Sequence, residues 1–195
     1  MANYILKLPI THKLIKHAEE LSLTESLNKS ITKGERNVMG TLGELCYITL
    51  LSHIYDLEDI EYEPNYNYDL RIGGVKVDVK SKQRTVAPQS HYAASIVAYS
   101  KDKQLCDYYA FTTITVGKHD TDFKDFYFLG HIKKSDYFQR AKFMRKGQSD
   151  GGNHHKGQEF KIRADCYNLN YSELDQYPLE GIEGALENGF VQVPW

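Results

Sequence analysis

Apolar and polar residues alternate along two short runs, 68–72 and 75–79, with Gly73 and Gly74 between them. Alternation with a period of two marks strands, and a Gly-Gly pair supplies the two positive-φ positions of a tight hairpin turn. Pairing Ile72 with Val75 and stepping outward sets Asp69 directly opposite Asp78, with Lys80 on the same face two residues on. The other face gathers Tyr68, Leu70, Ile72, Val75, Val77 and Val79 for burial. Upstream, 36–54 reads as one helix. Val38, Leu42, Leu45, Ile48 and Thr49 follow helical spacing, and its second half is apolar nearly all round, the pattern of a buried helix. A first amphipathic helix is predicted over 11–22, with Leu14, Ile15, Ala18 and Leu21 on one face. Downstream, 108–116 and 125–132 read as successive strands parted by a polar turn at 118–122. Ser135 is the expected cap of a helix reaching Phe143, and the glycine-rich, polar stretch 147–157 predicts a mobile loop. Residues 93–99 fit strand or helix equally.

The hairpin's polar face is where chemistry enters. Two ionised carboxylates about 5 Å apart repel by roughly 3 kcal/mol at an effective dielectric near 20. A solvated charged face tolerates this, but a divalent cation reverses its sign, because hard cations are held by carboxylates together with substrate phosphate oxygens. Glu44 lies within the apolar helix stretch, where a carboxylate must find a partner or shift its pKa. Gly40 and Gly43 flank it, each costing about 1 kcal/mol of helix propensity. Small residues at that spacing let a helix approach another backbone closely. The helix is therefore expected to lie on the sheet with Glu44 aimed at the acid pair; a salt-bridged glutamate at a helix contact is the plainer reading.

Glu44 in GTLGELCY, Asp69 in YNYDLRI, and Asp78 with Lys80 in VDVKSK form an ordered set that resembles the PD-(D/E)XK nuclease superfamily. The resemblance covers roughly residues 36–82, and it departs from the family pattern in having Tyr68 where a proline often precedes the first aspartate. It implies an α/β fold: a restriction-endonuclease-like core, with a central mixed sheet flanked by helices. It also implies a metal-dependent nuclease, most naturally a DNA endonuclease, with Mg²⁺ or Mn²⁺ as cofactor. Asp69 and Asp78 would ligate the ion, Glu44 directly or through water, and the Val79 carbonyl would add a further ligand. Lys80, beside carboxylates, would keep its proton and act electrostatically rather than as a free base. An exonuclease or structure-specific nuclease on the same core, or a nucleic-acid-binding module without turnover, are the alternatives. Restriction, repair, and mobile-element or phage settings all accommodate such an enzyme.

Composition bounds this picture. A chain of 195 residues, 41% hydrophobic, suits one domain, or one domain with an appendage. Within 1–195, residues 36–132 would form the catalytic core, 133–163 a basic segment and 164–195 an acidic C-terminal region. The start of the chain has no signal-peptide pattern and no apolar run reaches membrane-spanning length. The three dispersed cysteines, Cys46, Cys106 and Cys166, argue against a disulfide framework or zinc site, so a reducing, cytoplasmic setting is expected. Fifteen tyrosines is a high count, most of them explicable by core and surface roles. Net charge is only −2, but its distribution is uneven: 133–163 holds nine basic residues against three acids, and five acids with no lysine or arginine follow Asp165. Lys133, Lys134, Arg140, Lys142, Arg145 and Lys146, with Lys82 and Arg84 (and Ser81 and Gln83) at the strand end, are the candidate contacts to a phosphate backbone. A solvated helix and loop explains the same charges. His154 and His155, adjacent in the loop, point apart and make a poor metal pair. A homodimer would give two sites, one per DNA strand.

Overall fold

The structure, a computed structural model, describes residues 4–24, 38–149, 161–176, 187 and 189–194. In chain order its elements are β1 (Tyr4–Pro9), α1 (His12–Thr24), α2 (Val38–Leu51), β2 (Ile60–Tyr62), β3 (Leu70–Ile72), β4 (Val75–Arg84), β5 (Ala93–Val97), α3 (Ser100–Lys103), β6 (Tyr108–Val116), β7 (Phe123–Lys133), α4 (Lys134–Arg140), β8 (Lys142–Met144), β9 (Cys166–Asn170) and β10 (Val191–Pro194). The fold is α/β. A mixed seven-stranded sheet runs β10-β1-β7-β6-β4-β3-β2, and a three-stranded sheet runs β5-β9-β8. Among the described strands only β4 and β6 pair in parallel; every other pairing there is antiparallel.

The alternation that predicts the strands also sorts the core into two layers. Ala110 and Ile114 of β6 and Val77 and Val79 of β4 face α1 and α2, where Leu42, Leu45, Cys46 and Leu50 complete one cluster. Tyr109 and Phe111 of β6 face the other way, onto Ala94 and Ile96 of β5, Leu169 of β9 and Tyr137 of α4. The long sheet is thus sandwiched between a helical layer and the small sheet with α4, as a strand apolar on both faces requires. Tyr137 ties the second layer together, its hydroxyl donating to the carbonyls of Ala94 at 2.9 Å and Tyr167 at 2.6 Å.

The helix over 11–22 and the strands over 108–116 and 125–132 form where expected. Residues 93–97 resolve to a strand, because their alternate burial matches the small sheet. The helix expected from Ser135 to Phe143 is a correction: α4 ends at Arg140, and the chain turns at Ala141 into β8, where Met144 buries against Cys166. The predicted loop 147–157 lies mostly outside the described residues, as do His154 and His155.

Gly43 explains how closely α2 meets the sheet. A Cβ placed there would stand 1.9 Å from Ser81 Oγ and 2.8 Å from Ser81 Cβ. Gly43→Ala gains about 1 kcal/mol of helix propensity but overpacks this contact, at a cost of about 1–3 kcal/mol. Thermal unfolding is expected to show a lower melting temperature; a rise would mean that α2 and β4 are not in contact there.

Candidate active site

The hairpin forms in the expected register, with Ile72 opposite Val75 and Leu70 opposite Val77, and Gly73 and Gly74 at φ +52° and +84°. Beyond Leu70 the structure departs from the sequence pattern. The Asp69 N–H donates to Val77 O at 2.9 Å, so the ladder slips and Asp69 does not pair with Asp78 across it. The cause is a tight turn just upstream. Asn65 Oδ1 accepts from the backbone N–H groups of Asn67 (2.8 Å) and Tyr68 (3.3 Å), and the Asn65 N–H donates to Tyr68 O at 2.9 Å. Such side-chain capping of a local turn competes with strand pairing. One consequence corrects the predicted apolar face. Tyr68 joins the second cluster, under the cations of Arg71 at 5.4 Å and Lys76 at 5.5 Å, and Val75 is 40% exposed at the turn.

The slip nonetheless delivers the Asp69 carboxylate to β4. Asp69 Oδ2 accepts the Val79 N–H at 2.6 Å, at the point where β3 no longer covers the edge of β4. Asp78 and Lys80 project from the β4 face that carries Tyr109 and Phe111 as parallel neighbours. The Lys80 ammonium pairs with Asp78 Oδ2, and Gln104 Nε2 donates to Asp78 Oδ1 at 2.8 Å. Gln104 is itself oriented: its Oε1 accepts from the Tyr109 hydroxyl at 3.2 Å, and its backbone carbonyl accepts from the Lys134 ammonium. Glu44 comes from α2 on the opposite face and is buried, with Oε2 accepting the Tyr62 hydroxyl at 2.7 Å.

Asp69 is the meeting point of these groups. Burial raises its carboxyl well above the usual range, the charges of Glu44 and Asp78 raise it further, and Lys80 and the Val79 N–H only partly oppose them. Burial likewise raises Asp78, against the charge and hydrogen bond of Lys80 and the bond from Gln104. For Lys80, burial pulls downward, but the carboxylates of Asp78 and Asp69 outweigh it and leave the ammonium more firmly protonated than usual. Glu44, Asp69, Asp78 and Lys80 are therefore one electrostatic cluster, as the sequence order suggests, assembled by a slipped hairpin end rather than by a regular cross-strand pair. Among the described residues, no group of three or more His, Cys, Asp or Glu side chains is placed to hold a metal ion as it stands.

The remaining candidates divide. Lys134 stands beside the acids, where its charge lowers Asp78. Lys133, Lys142, Arg145 and Lys146 are exposed, and Arg140, also exposed, donates to Glu173 O at 2.7 Å. Lys82 and Arg84 continue the Asp78–Lys80 face of β4. Sequence reasoning missed Gln104, Tyr62, Tyr66 and Tyr99. Tyr99, beside Lys80 and Tyr66, is 40% exposed, and Tyr66 is 37% exposed, so the two rim the acid cluster. The high tyrosine count was the available signal for the rim; nothing local marks Gln104.

The three cysteines are free and buried, and burial pushes the thiols of Cys46 and Cys106 up to about 12, which makes them inert. Among the described residues no helix is long and apolar enough to cross a membrane. Compared with known proteins, the chain matches no family model, no curated protein and no solved structure.

Proposed function

We propose that this protein is a metal-dependent nuclease of the PD-(D/E)XK type, hydrolysing phosphodiester bonds in DNA as an endonuclease, on a restriction-endonuclease-like core. The observation that carries this reading is the buried cluster of Glu44, Asp69 and Asp78 set against the paired ammonium of Lys80, with Lys134 alongside. Burial and mutual repulsion make the ionised acids costly, and nothing in a purely structural role calls for that cost.

The donor set fits a hard divalent cation such as Mg²⁺ or Mn²⁺. Asp69 and Asp78 supply carboxylate oxygens with raised proton affinity, the sign of missing positive charge. The Val79 N–H points at Asp69, and the carbonyl of a strand residue points to the same edge as its N–H, so Val79 O faces the same space. Glu44 would hold the ion directly or through water. When bound, the ion polarises the scissile phosphate and lowers the pKa of an attacking water.

The chain's own residues do the rest. Lys80 keeps its proton and places a fixed positive charge where the phosphate acquires negative charge. Gln104 holds Asp78 in one rotamer, itself braced by Tyr109. Tyr62 fixes Glu44 in the same way. Because these groups are oriented before substrate arrives, little reorganisation is left for the chemical step.

Incubating supercoiled plasmid with the protein in Mg²⁺, Mn²⁺ or EDTA tests the reading. Nicked or linear product that disappears in EDTA supports an endonuclease. Shortening from ends alone identifies an exonuclease on the same core, and binding without cleavage under every metal identifies a module without turnover.

A further inference from the structure

The face of β4 that carries Asp78 and Lys80 continues through Lys82 to Arg84, since alternate residues share a face. Neither of these last two cations has a carboxylate partner among the described residues. Lys82 Nζ donates to Ala93 O at 2.9 Å and to Ser95 Oγ at 3.1 Å, both on β5. The Arg84 guanidinium lies 4.1 Å from the ring centroid of Tyr92 and 5.9 Å from that of Tyr171. Its Nε is buried without a hydrogen-bond partner. The carboxylate at this end of the strand, Asp120, accepts instead from Gln83 Nε2 at 3.0 Å. Gln83, Arg84, Thr85, Val86 and Val116 line an open cleft of about 350 Å³.

Two neighbouring half-buried cations are the mirror image of the acid cluster. Burial, and then the charge of Arg84, pull the Lys82 ammonium down to about 8. Charge here is uncompensated, and an anion entering the cleft beside Arg84 would relieve it, with Lys82 one strand step behind the cleft wall. We propose that Arg84, stacked on Tyr92 and backed by the Lys82 charge, forms a phosphate subsite that grips the nucleic-acid backbone away from the catalytic acids. Stacking occupies the guanidinium's face and leaves its donor edge for an anion, the arrangement in which arginine takes phosphate oxygens in pairs. The face of Tyr92 beneath Arg84 is closed to a base, because the guanidinium covers it.

The subsite's position predicts a length requirement. Arg84 lies four residue steps along the strand from Lys80, about 13 Å, which spans roughly four phosphates of one duplex strand. A dinucleotide bound at the acids would not reach Arg84, whereas a longer strand would. This inference rests on the nuclease reading for the course of the strand, but its test does not need turnover.

Full-length protein in EDTA is titrated, by fluorescence anisotropy, with a labelled dinucleotide and with an oligonucleotide about eight nucleotides long. Arg84→Gln is expected to weaken the longer probe roughly tenfold, to lower its salt slope by about one, and to leave the dinucleotide unchanged. In unsubstituted protein, the longer probe should slow arginine modification of Arg84 by phenylglyoxal, read by mass spectrometry. This second readout stands even where the variant folds poorly. Equal affinity and salt slope in a folded Arg84→Gln, or modification of Arg84 unaffected by the probe, overturns the subsite. Loss of affinity in Arg84→Gln alongside no cleavage under any metal leaves the subsite standing and removes the nuclease; cleavage with equal affinities does the reverse.

Discussion

Asp78→Ala is expected to lower metal-dependent plasmid cleavage about a thousandfold, the scale on which a directly acting charge stabilises a transition state. Asp78 has two functions in the geometry. One oxygen is a ligand candidate, and the same carboxylate holds the Lys80 ammonium in place. Removing it withdraws an ion ligand and frees Lys80 to move off the phosphate. It also removes the shorter of the two bonds from Gln104 Nε2, leaving it only its 3.4 Å contact to Tyr66 O. Lys80→Ala should cost less, because the ion's carboxylates remain. Asp56→Ala, at an exposed acid beside β2, should leave the rate unchanged and controls for handling. Nicking rates measured at saturating Mg²⁺ read the effect. An Asp78→Ala protein that folds normally and cleaves at the original rate would remove Asp78 from the chemistry, and with it the nuclease reading.

How far the sequence anticipates this site depends on the range of the interactions involved. The hairpin is local: Gly73-Gly74 and the alternation on either side fix both the turn and its first three pairs. The buried helix is legible for the same reason, since its apolar surround needs no knowledge of partners. The end of the hairpin is not, because Asn65 wins the competition for the backbone around Tyr68 and drags Asp69 out of register. A strand pattern carries no trace of that contest. Gln104 and Tyr62 act on Asp78 and Glu44 from 26 and 18 residues away. Pairings at that separation depend on topology, and the parallel β4–β6 crossover that brings Gln104 home leaves no periodic mark. β1, β2, β8, β9 and β10 were likewise silent, being three to six residues long and shaped by what they pair with.

Asp69→Asn is expected to make the metal-free protein more stable at neutral pH, because it removes a buried charge that the folded state carries at a cost. The sign follows from proton counting. An unfolded aspartate releases its proton near pH 3.9, whereas folded Asp69 holds its proton well above that. Between the two values the native state binds more protons than the unfolded chain, so stability falls as pH rises through the window. Above it, the ionised carboxylate imposes its full cost. An amide removes the charge yet keeps an oxygen for the Val79 N–H, and Lys80 retains Asp78 as its partner. At this chain length each kcal/mol moves the melting temperature by about 2–4 °C. Mg²⁺ should act on the unsubstituted protein in the same direction, raising its melting temperature by mass action on the folded state. In Asp69→Asn the metal-induced rise should shrink sharply, because the ligand and the repulsion it relieves disappear together. Melting curves from pH 5 to pH 8, with Mg²⁺ and with EDTA, separate these effects. Should Asp69→Asn melt lower than the unsubstituted protein at pH 7 in EDTA, Asp69 is a structural anchor whose charge the fold requires. The cluster would then be a stabilising network rather than a cation site.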